Sequence, residues 1–298
     1  MRGVVVALGN LDGVHLGHQE VLKRAVEEGR RRGMRVIAAT FQPHPRAVLG
    51  AGDPPKLLTP MGLRREVLRR YGAEEVVEIP FDLELSRKSP EQFVRDVLVG
   101  EIGASVVVVG ENFRFGHRAI GHVEDLGRLM KEMGGEAVAV EVRGVGEQAG
   151  ISSTRIRSLV SEGRVDEAAG LLGRPYVLRG EVVVGDRRGR TIGFPTANVL
   201  PDAEAVVPAR GVYAGFVLVG DKQFAACTNV GVAPTFGRAE SRVEAYLLDF
   251  DGDLYGLVVD VGFTRRIRGE KKFSGIDELK AQIQRDVESA RSLAADES

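Results

Sequence analysis

The sequence predicts two successive domains: a parallel β-sheet with helices on both faces, then an all-β domain that ends in one helix. In the first half, apolar runs near 3–8, 35–40, 75–79, 105–110 and 137–142 alternate with helical patterns near 17–31, 60–71, 90–100 and 122–133. Such β-α alternation favours a Rossmann-like parallel sheet. After a short helix near 163–172, strand-like runs follow one another with only turns between them, at 176–184, 212–219, 223–229, 243–250 and 254–263. This second pattern favours an antiparallel barrel or sandwich.

The composition limits the class of protein. The 298 residues fit one large domain or two ordinary ones, and a content of 43% hydrophobic and 28% charged residues is expected for a soluble globular protein. A net charge of −1 argues against a nucleic-acid partner, and no apolar run approaches the roughly 18 residues that span a membrane. The start of the chain lacks a signal-peptide pattern, so we expect a cytoplasmic protein. Cys227 is the only cysteine, which excludes an internal disulfide and predicts a small core residue.

Residues 9–19, GNLDGVHLGHQ, follow the first predicted strand and open the first helix. A strand, a glycine-containing turn and a helix start direct backbone N–H groups and the positive end of the helix dipole at one point, which suits an anion. His15 and His18 are three residues apart, so both rings can face that anion. Two histidines near a helix start could also simply cap it, but the glycines at 9, 13 and 17 let a ligand approach the backbone closely.

Two further loops follow predicted strands. In TFQPHPR, residues 40–46, two prolines predict an extended loop that holds His44 out of regular structure. GENFRFG, residues 110–116, offers aromatic rings for stacking and Arg114 as a cation for a phosphate. The simpler interpretations are a stiff turn and two core phenylalanines beside a surface arginine.

The segment ISSTRIR, residues 151–157, begins another helix after the fifth strand. Ser152 or Ser153 would cap this helix. Its hydroxyls, its free N–H groups and Arg157 one turn later would form a second anion site, although ordinary capped helices have the same pattern.

In the second half, a basic loop at 185–190 leads into TIGFPTAN, residues 191–198. Thr196 and Asn198 alternate along an extended segment, so both side chains point to one face and offer hard oxygen ligands for Mg²⁺ beside a nucleotide. A polar strand end is the simpler interpretation.

Glu244 shares a face of its predicted strand with Tyr246 and Leu248. A carboxylate that faces a barrel interior is costly unless it is paired or used, whereas on a solvent-facing strand it is an ordinary surface residue. The chain ends in a helix for which Ser274 is a candidate cap. The predicted apolar stripe of that helix is Ile276, Leu279, Ile283 and Val287.

The string His-x-Gly-His after a strand resembles the signature of nucleotidylyltransferases and class I tRNA synthetases. The longer string at 9–19 resembles the FMN adenylyltransferase module of bacterial bifunctional riboflavin kinase/FAD synthetases. The resemblance implies charge stabilisation by His15, His18 and Arg157. It implies ATP binding by Gly9, Asn10, Asp12, Gly17, Ser153 and Thr154, and flavin binding by His44, Asn112, Phe113 and Arg114.

The segments IGFPTAN, GVY at 211–213, TNVGVAPTFG at 228–237 and LLDFDGDLYG at 247–256 together resemble the riboflavin kinase domain, a Greek-key β-barrel. The resemblance implies that Thr196 and Asn198 contact Mg²⁺ and ATP, with Gly193 also at the ATP site, and that Glu244 is the catalytic base. Residues 268–273 would belong to a flavin-covering loop, with Arg268 on the flavin.

The resemblance covers nearly the whole chain and implies an FMN adenylyltransferase domain at 1–172 and a riboflavin kinase domain at 173–298. Leu11 stands where the family more often has Phe, which we expect to affect packing only. The sequence starts almost at the first predicted strand, without the family's usual short leader, so we expect either a trimmed start or a first strand whose edge is barer than usual. Two other functions stay open: a single-function adenylyltransferase whose second half binds flavin, and a non-catalytic flavin or nucleotide sensor. The oligomeric state is left open.

Overall fold

The computed structural model describes residues 3–50, 52–141, 150–185, 192–235 and 238–296. The chain divides into two compact units, Met1–Arg155 and Ile156–Ser298. Within the ranges described, no helix is both long enough and apolar enough to cross a membrane.

The first unit is built on a five-stranded sheet whose strands are all parallel. The strands are β1 Val4–Leu8, β2 Val36–Gln42, β3 Glu75–Pro80, β4 Ala104–Gly110 and β5 Glu136–Val140. Their order is β3-β2-β1-β4-β5, so the chain builds outward on one side of β1 and then returns to the other side at β4. The predicted parallel sheet is confirmed, and its strand order reverses between β1 and β4, where such sheets bind ligands.

Helices cover both faces of this sheet because alternate residues of β1 point to opposite sides. The helices are α1 Leu16–Arg32, α2 Pro45–Val48, α3 Met61–Arg70, α4 Pro90–Gln92, which continues as the π-helical stretch Phe93–Glu101, and α5 Val123–Glu132. Val4, Val6 and Leu8 join one core cluster with the π-helical stretch and α5. On the other face, α1 packs against β1 and β4.

The short helix α2 corrects the prediction of an extended loop at 40–46. Pro45 starts the helix, and the Nδ1 of His44 accepts a hydrogen bond from the backbone N–H of Arg46 at 3.2 Å. Proline suits the first helical position because its fixed φ is helical and its missing N–H would have no intrahelical partner. His44 itself stays outside the helix as its cap.

The second unit contains a closed antiparallel barrel. Helix α6, Ser153–Glu162, leads into this unit and is followed by α7, Val165–Leu172, which packs against the barrel. The strands are β6 Tyr176–Val183, β7 Ala197–Pro201, β8 Gly211–Val219, β9 Lys222–Thr235, β10 Arg238–Leu247 and β11 Val258–Arg268. After the β8-β9-β10 meander, β11 returns beside β8, which is a Greek key. The predicted runs omit β7, which is short and ends in proline.

The last helix, α8, spans Ile276–Asp296 and packs against the outer wall of the barrel. Cys227 is buried in that contact, and burial raises the pKa of its thiol to about 12, so it is a protonated core residue as expected. Ile276 is 57% exposed, so the predicted stripe begins one turn too early. The hydroxyl of Ser274 donates to the carboxylate of Glu278 at 2.8 Å, so this serine supports the helix start through Glu278.

Candidate active sites

The loop after β1 has an uncommon backbone. Leu11 has φ 47° and Val14 has φ 42°, both in the left-handed region, and Gly13 between them has φ 82°. A positive φ is rare for a β-branched residue and costs about 1–3 kcal/mol, so such a conformation persists only where surrounding contacts impose it. Leu11 and Val14 are both buried, so contacts with the protein interior hold the loop in this conformation.

A buried ion pair supplies that hold. The carboxylate of Asp12 meets the Nη2 of Arg64 at 3.1 Å, and their side chains are 1% and 2% exposed. The same carboxylate accepts the backbone N–H groups of Leu58 at 3.1 Å and Thr59 at 3.0 Å. Arg64 also donates to the carbonyl of Asn10 at 3.1 Å. Because every group of the pair has a partner, the loop is fixed to the segment that begins α3.

Sequence reasoning missed Arg64 and Thr59 as parts of this site. The hydroxyl of Thr59 accepts the N–H of Gly13 at 2.8 Å, and Thr40 at the end of β2 donates to the carbonyl of Asn10 at 2.7 Å. These partners lie 30 to 54 residues from the loop residues that they contact, so no local pattern marks them.

The two histidines of the motif lie against each other. His15 caps α1, its Nδ1 facing the N–H of His18 at 3.4 Å, and the two rings stack with centroids 3.7 Å apart. Burial first, and then the nearby charges of His15 and Arg64, hold the pKa of His18 well below its usual value. His18 is therefore neutral at pH 7, and its Nδ1 is enclosed without a hydrogen-bond partner among the described residues.

The second phosphate motif reaches the first through Ser153. Ser152 caps α6 by accepting the N–H of Arg155 at 3.2 Å. The hydroxyl of Ser153 donates to the backbone carbonyl of Asp12 at 3.0 Å. The start of α6 is thereby joined to the loop after β1. Thr154 and Arg157 follow on the same helix, Thr154 exposed and Arg157 half-buried.

The remaining motif residues line the same edge of the sheet. Gly9 donates its N–H to the carbonyl of Ala39 at 3.2 Å, Asn10 has an exposed side chain, and Gly17 is buried in the first turn of α1.

A row of aromatic side chains runs from the turn after β4, through Phe93 of the π-helical stretch, to the end of β2. The rings of Phe113 and Phe115 stack 5.8 Å apart, and Phe115 continues the row to Phe93 at 5.9 Å. Phe41 adds a further ring, 6.2 Å from Phe93. Phe115 is core, as the simpler interpretation expected, whereas Phe113 and Phe41 stay partly exposed. Asn112 is exposed in the turn after β4, and Arg114 contacts His122.

The second unit contains a cavity of about 680 Å³, a volume that suits a ligand of drug size. Its walls come from the end of the 192–198 segment, from β9 and β10, from residues 268–273 and from α8. Thr196, Asn198 and Glu244 all line it, as does Arg268.

The cavity lies on the outer wall of the barrel, which corrects the expectation that Glu244 faces either the barrel interior or solvent. Val243 and Ala245 are fully buried and point inward, whereas Tyr246, on the same side as Glu244, packs in the cluster with α8. Because side chains alternate along a strand, Glu244 faces the space between β10 and α8. The expectation considered only a two-sided wall, but α8 adds a third layer.

Hydrogen bonds hold the polar groups of this cavity. Glu244 lies directly opposite Asn198 on β7 and opposite Asn229 on β9. The Nδ2 of Asn229 donates to Glu244 Oε2 at 3.3 Å. Arg242, which sequence reasoning missed, donates to Asn198 Oδ1 through Nε at 3.0 Å and Nη2 at 2.8 Å, and its Nη2 lies 3.0 Å from Glu244 Oε1. Arg242 could have been found from its position two residues before Glu244, because residues two apart on a strand point to the same face.

Arg268 is tied to α8. Its guanidinium donates to the carboxylate of Asp286, with Nη2 2.7 Å from Oδ2, and lies 5.9 Å from the ring centre of Phe273. This pair anchors the start of residues 268–273, the predicted flavin-covering loop. Gly193 is exposed, with φ 91°, in the turn before β7. The predicted basic loop, apart from Gly185, lies outside the described residues, as do Thr191 and the end of the 228–237 motif.

The donor set of the cavity fits Mg²⁺ held partly by a nucleotide. Thr196 and Asn198 offer a hydroxyl and an amide oxygen, which are hard ligands, and Asn198 Oδ1 faces the cavity close to Glu244. The described residues contain no group of three or more His, Cys, Asp or Glu that could hold a metal alone. Such a site suits an ion that keeps phosphate oxygens as ligands.

A switch-point loop beside a helix start, followed by a barrel whose cavity contains Thr196, Asn198 and Glu244, is typical of a two-domain nucleotide-dependent transferase. The FAD synthetase family model matches residues 1–155, and the riboflavin kinase family model matches residues 172–294. The chain is 37% identical to the bifunctional riboflavin kinase/FMN adenylyltransferase of Escherichia coli K12, over 97% of this chain and 92% of the relative. The enzyme of the same name from Bacillus subtilis 168 is also 37% identical, over 96% and 91%.

The chain belongs to the family of bifunctional riboflavin kinase/FMN adenylyltransferases. A solved structure described as a macrolide-efflux protein from Streptococcus pneumoniae is 34% identical, with a TM-score of 0.88 over 97% of this chain and 94% of that one. This likeness supports the fold along the whole chain.

Removing the charge of Asp12 should destabilise the first unit. The variant Asp12→Asn should lose about 3 kcal/mol of unfolding free energy, because it leaves Arg64 buried without a counter-ion. Urea denaturation measures the loss. Arg65→Met is the matched control, since this neighbouring arginine pairs with Glu78 at the surface and should cost no more than about 1 kcal/mol. The double variant Asp12→Asn/Arg64→Met should cost less than the sum of its single changes, and additive losses would contradict the buried pair.

The lowered pKa of His18 predicts a pH dependence of stability. Below its ordinary pKa of about 6.5, the unfolded chain takes up a proton that the folded chain refuses, so stability falls as pH falls. Between pH 7.5 and 5.5, wild type should therefore lose more unfolding free energy than His18→Asn, by up to about 1.4 kcal/mol per pH unit. Denaturant unfolding at both pH values tests this, with the exposed His117→Asn as control. Equal pH slopes for wild type and His18→Asn would refute the buried neutral state.

Proposed function

We infer that this chain makes FMN from riboflavin and ATP, and then FAD from FMN and a second ATP. The two family matches occupy separate parts of the chain, and each part carries a site with suitable chemistry. We assign the adenylyl transfer to the amino-terminal part and the kinase step to the barrel, with a functional boundary near residue 172. The single observation that carries this proposal is the cavity that brings Glu244 beside Asn198 and Thr196.

In the kinase step, we propose that Glu244 takes the proton from the riboflavin 5′-hydroxyl as this oxygen attacks the γ-phosphorus of ATP. The bond between the γ-phosphorus and the β,γ-bridging oxygen breaks, and ADP leaves. Asn229 orients the carboxylate by its hydrogen bond to Oε2. Thr196 and Asn198 would hold Mg²⁺, which neutralises phosphate charge when bound. Residues 268–273 and α8 would exclude water from the flavin side, with Arg268 fixed by Asp286.

In the adenylyl step, a phosphate oxygen of FMN attacks the α-phosphorus of ATP, and pyrophosphate leaves. No general base is required, because a phosphate monoester is already anionic at neutral pH. Neutral His18 can donate a hydrogen bond to the triphosphate, together with His15, Thr154 and Arg157. The helix start after Gly17 and the backbone of Gly9 and Asn10 would receive the remaining phosphate charge.

The carboxylate of Asp12 is enclosed by its own partners, so we propose that it serves the ATP site by holding the loop. Ser153 does the same from the other side through the carbonyl of Asp12. Asn112, Phe113, Arg114 and His44 would bind flavin at the edge where the aromatic row is partly exposed. The cytoplasm stays a prediction, as does the absence of nucleic-acid and membrane partners.

The alternatives are less well supported. A non-catalytic sensor does not require a carboxylate held by Asn229 at the rim of a cavity, and a single-function adenylyltransferase does not require the second family match.

A time course that separates riboflavin, FMN and FAD by chromatography tests the division of labour. Glu244→Gln should lower FMN formation from riboflavin by about 10²-fold or more, because general-base catalysis is lost, and should leave FMN-to-FAD conversion intact. His18→Ala should lower FAD formation by about 10²-fold and leave FMN formation intact. Glu181→Gln, exposed on the barrel, is the control for the charge change. Loss of both steps in either folded variant would contradict the assignment.

A further inference from the structure

The two oxygens that the proposed kinase chemistry needs are both bound by one arginine in the structure. Asn198 Oδ1 accepts two N–H groups of Arg242, at 3.0 and 2.8 Å. The same guanidinium meets Glu244 Oε1 at 3.0 Å. Arg242 thus bridges the proposed metal ligand and the proposed base. Because Arg242 and Glu244 are two residues apart on β10, this bridge is built into one face of the strand.

This bridge and a bound metal ion exclude each other. A carbonyl-type oxygen has two lone pairs, and at Asn198 both are directed to N–H donors of Arg242. A metal ion on that oxygen would need one lone pair and would lie beside the guanidinium. The metal ion and the guanidinium are both positive and would repel each other at such close range. The repulsion is stronger in a cavity that α8 partly shields from water. Arg242 must therefore leave Asn198 before the metal ion binds.

Contacts other than those of Arg242 also hold the two groups that it bridges. Asn229 still donates to the other oxygen of Glu244 at 3.3 Å. Asn198 is 8% exposed, and Gly185 lies so close that an added Cβ would be 2.4 Å from its Nδ2. Asn229 and the packing around Asn198 therefore help to position the two groups, and Arg242 is an additional contact that a ligand could displace.

We propose that Arg242 is a displaceable latch on the kinase site, which holds Asn198 and Glu244 until Mg·nucleotide displaces it. The latch rests on the proposed kinase function of this cavity. It predicts that binding of Mg·nucleotide includes the work of breaking the bridge. Removing the arginine should therefore tighten that binding. Loss of a positive charge ordinarily weakens the binding of an anionic nucleotide, so a gain in affinity is specific to the latch.

Calorimetry of the full chain with Mg·ADP tests the latch. The adenylyl unit also binds nucleotide, so Asn198→Ala provides the reference isotherm in which the barrel site is lost. Against that reference, Arg242→Met should bind Mg·ADP in the barrel roughly five- to tenfold more tightly than wild type. Arg242→Lys keeps the charge but loses the planar fork that bridges two groups, so it should also bind more tightly. It carries the test if Arg242→Met does not fold.

Two controls make the outcomes decisive. Arg265→Met removes an exposed arginine from β11, outside the cavity, and should leave the affinity unchanged. In the Asn198→Ala background, Arg242→Met should have no effect. Equal or weaker binding by folded Arg242→Met, or wild-type affinity in Arg242→Lys, would overturn the latch. If wild type and Asn198→Ala give identical isotherms, the proposed nucleotide site itself fails.

Discussion

The buried pair of Asp12 and Arg64 is the constraint on which the proposed adenylyl site depends. The loop after β1 has Leu11 and Val14 in the left-handed region. Such residues adopt this conformation only where surrounding contacts impose it. The carboxylate of Asp12 provides such contacts by pairing with Arg64 of α3. The backbone carbonyl of Asp12 accepts a hydrogen bond from Ser153 at the start of α6. A salt bridge out of contact with water is costly unless all its groups are paired, and here the backbone N–H groups of Leu58 and Thr59 complete the pairing.

The two sites prepare for phosphate chemistry in opposite ways. The proposed adenylyl site offers donors to an anion: a helix start, a neutral His18 and hydroxyls at the start of α6. The proposed kinase site offers oxygens to a cation, from Asn198 and Thr196, and in the structure the guanidinium of Arg242 binds both Asn198 and the proposed base Glu244. The two proposed sites differ because one would bind a triphosphate directly and the other would bind a metal ion. A triphosphate needs positive potential, whereas a metal ion needs ligands that are free of competing donors.

The barrel shows why the alternation of side chains along a strand does not by itself tell what covers each face of that strand. The alternation of Val243, Glu244, Ala245 and Tyr246 separated the two faces of β10 correctly. It did not show that α8 covers the outer face, because that cover comes from residues about 40 positions later in the chain. Helix packing against Tyr246 and Cys227 turns an outer surface into a cavity wall. Arg268, which lines the same cavity, is fixed to α8 by Asp286, and this pairing across 18 residues was not visible in the strand pattern.

By itself, the sequence determined the elements and the motifs: five parallel strands, the turn at 9–19, a serine cap at 152 or 153 and the antiparallel second half. These depend on local patterns, such as hydrophobic period, glycine position and capping residues, which a short window contains. Only the tertiary structure decided which side chains complete each site. Arg64 reaches Asp12 across 52 residues, and Arg242 reaches Asn198 across 44. Such partners are chosen by strand order and burial, because a buried charge must find its counter-ion wherever the fold places one.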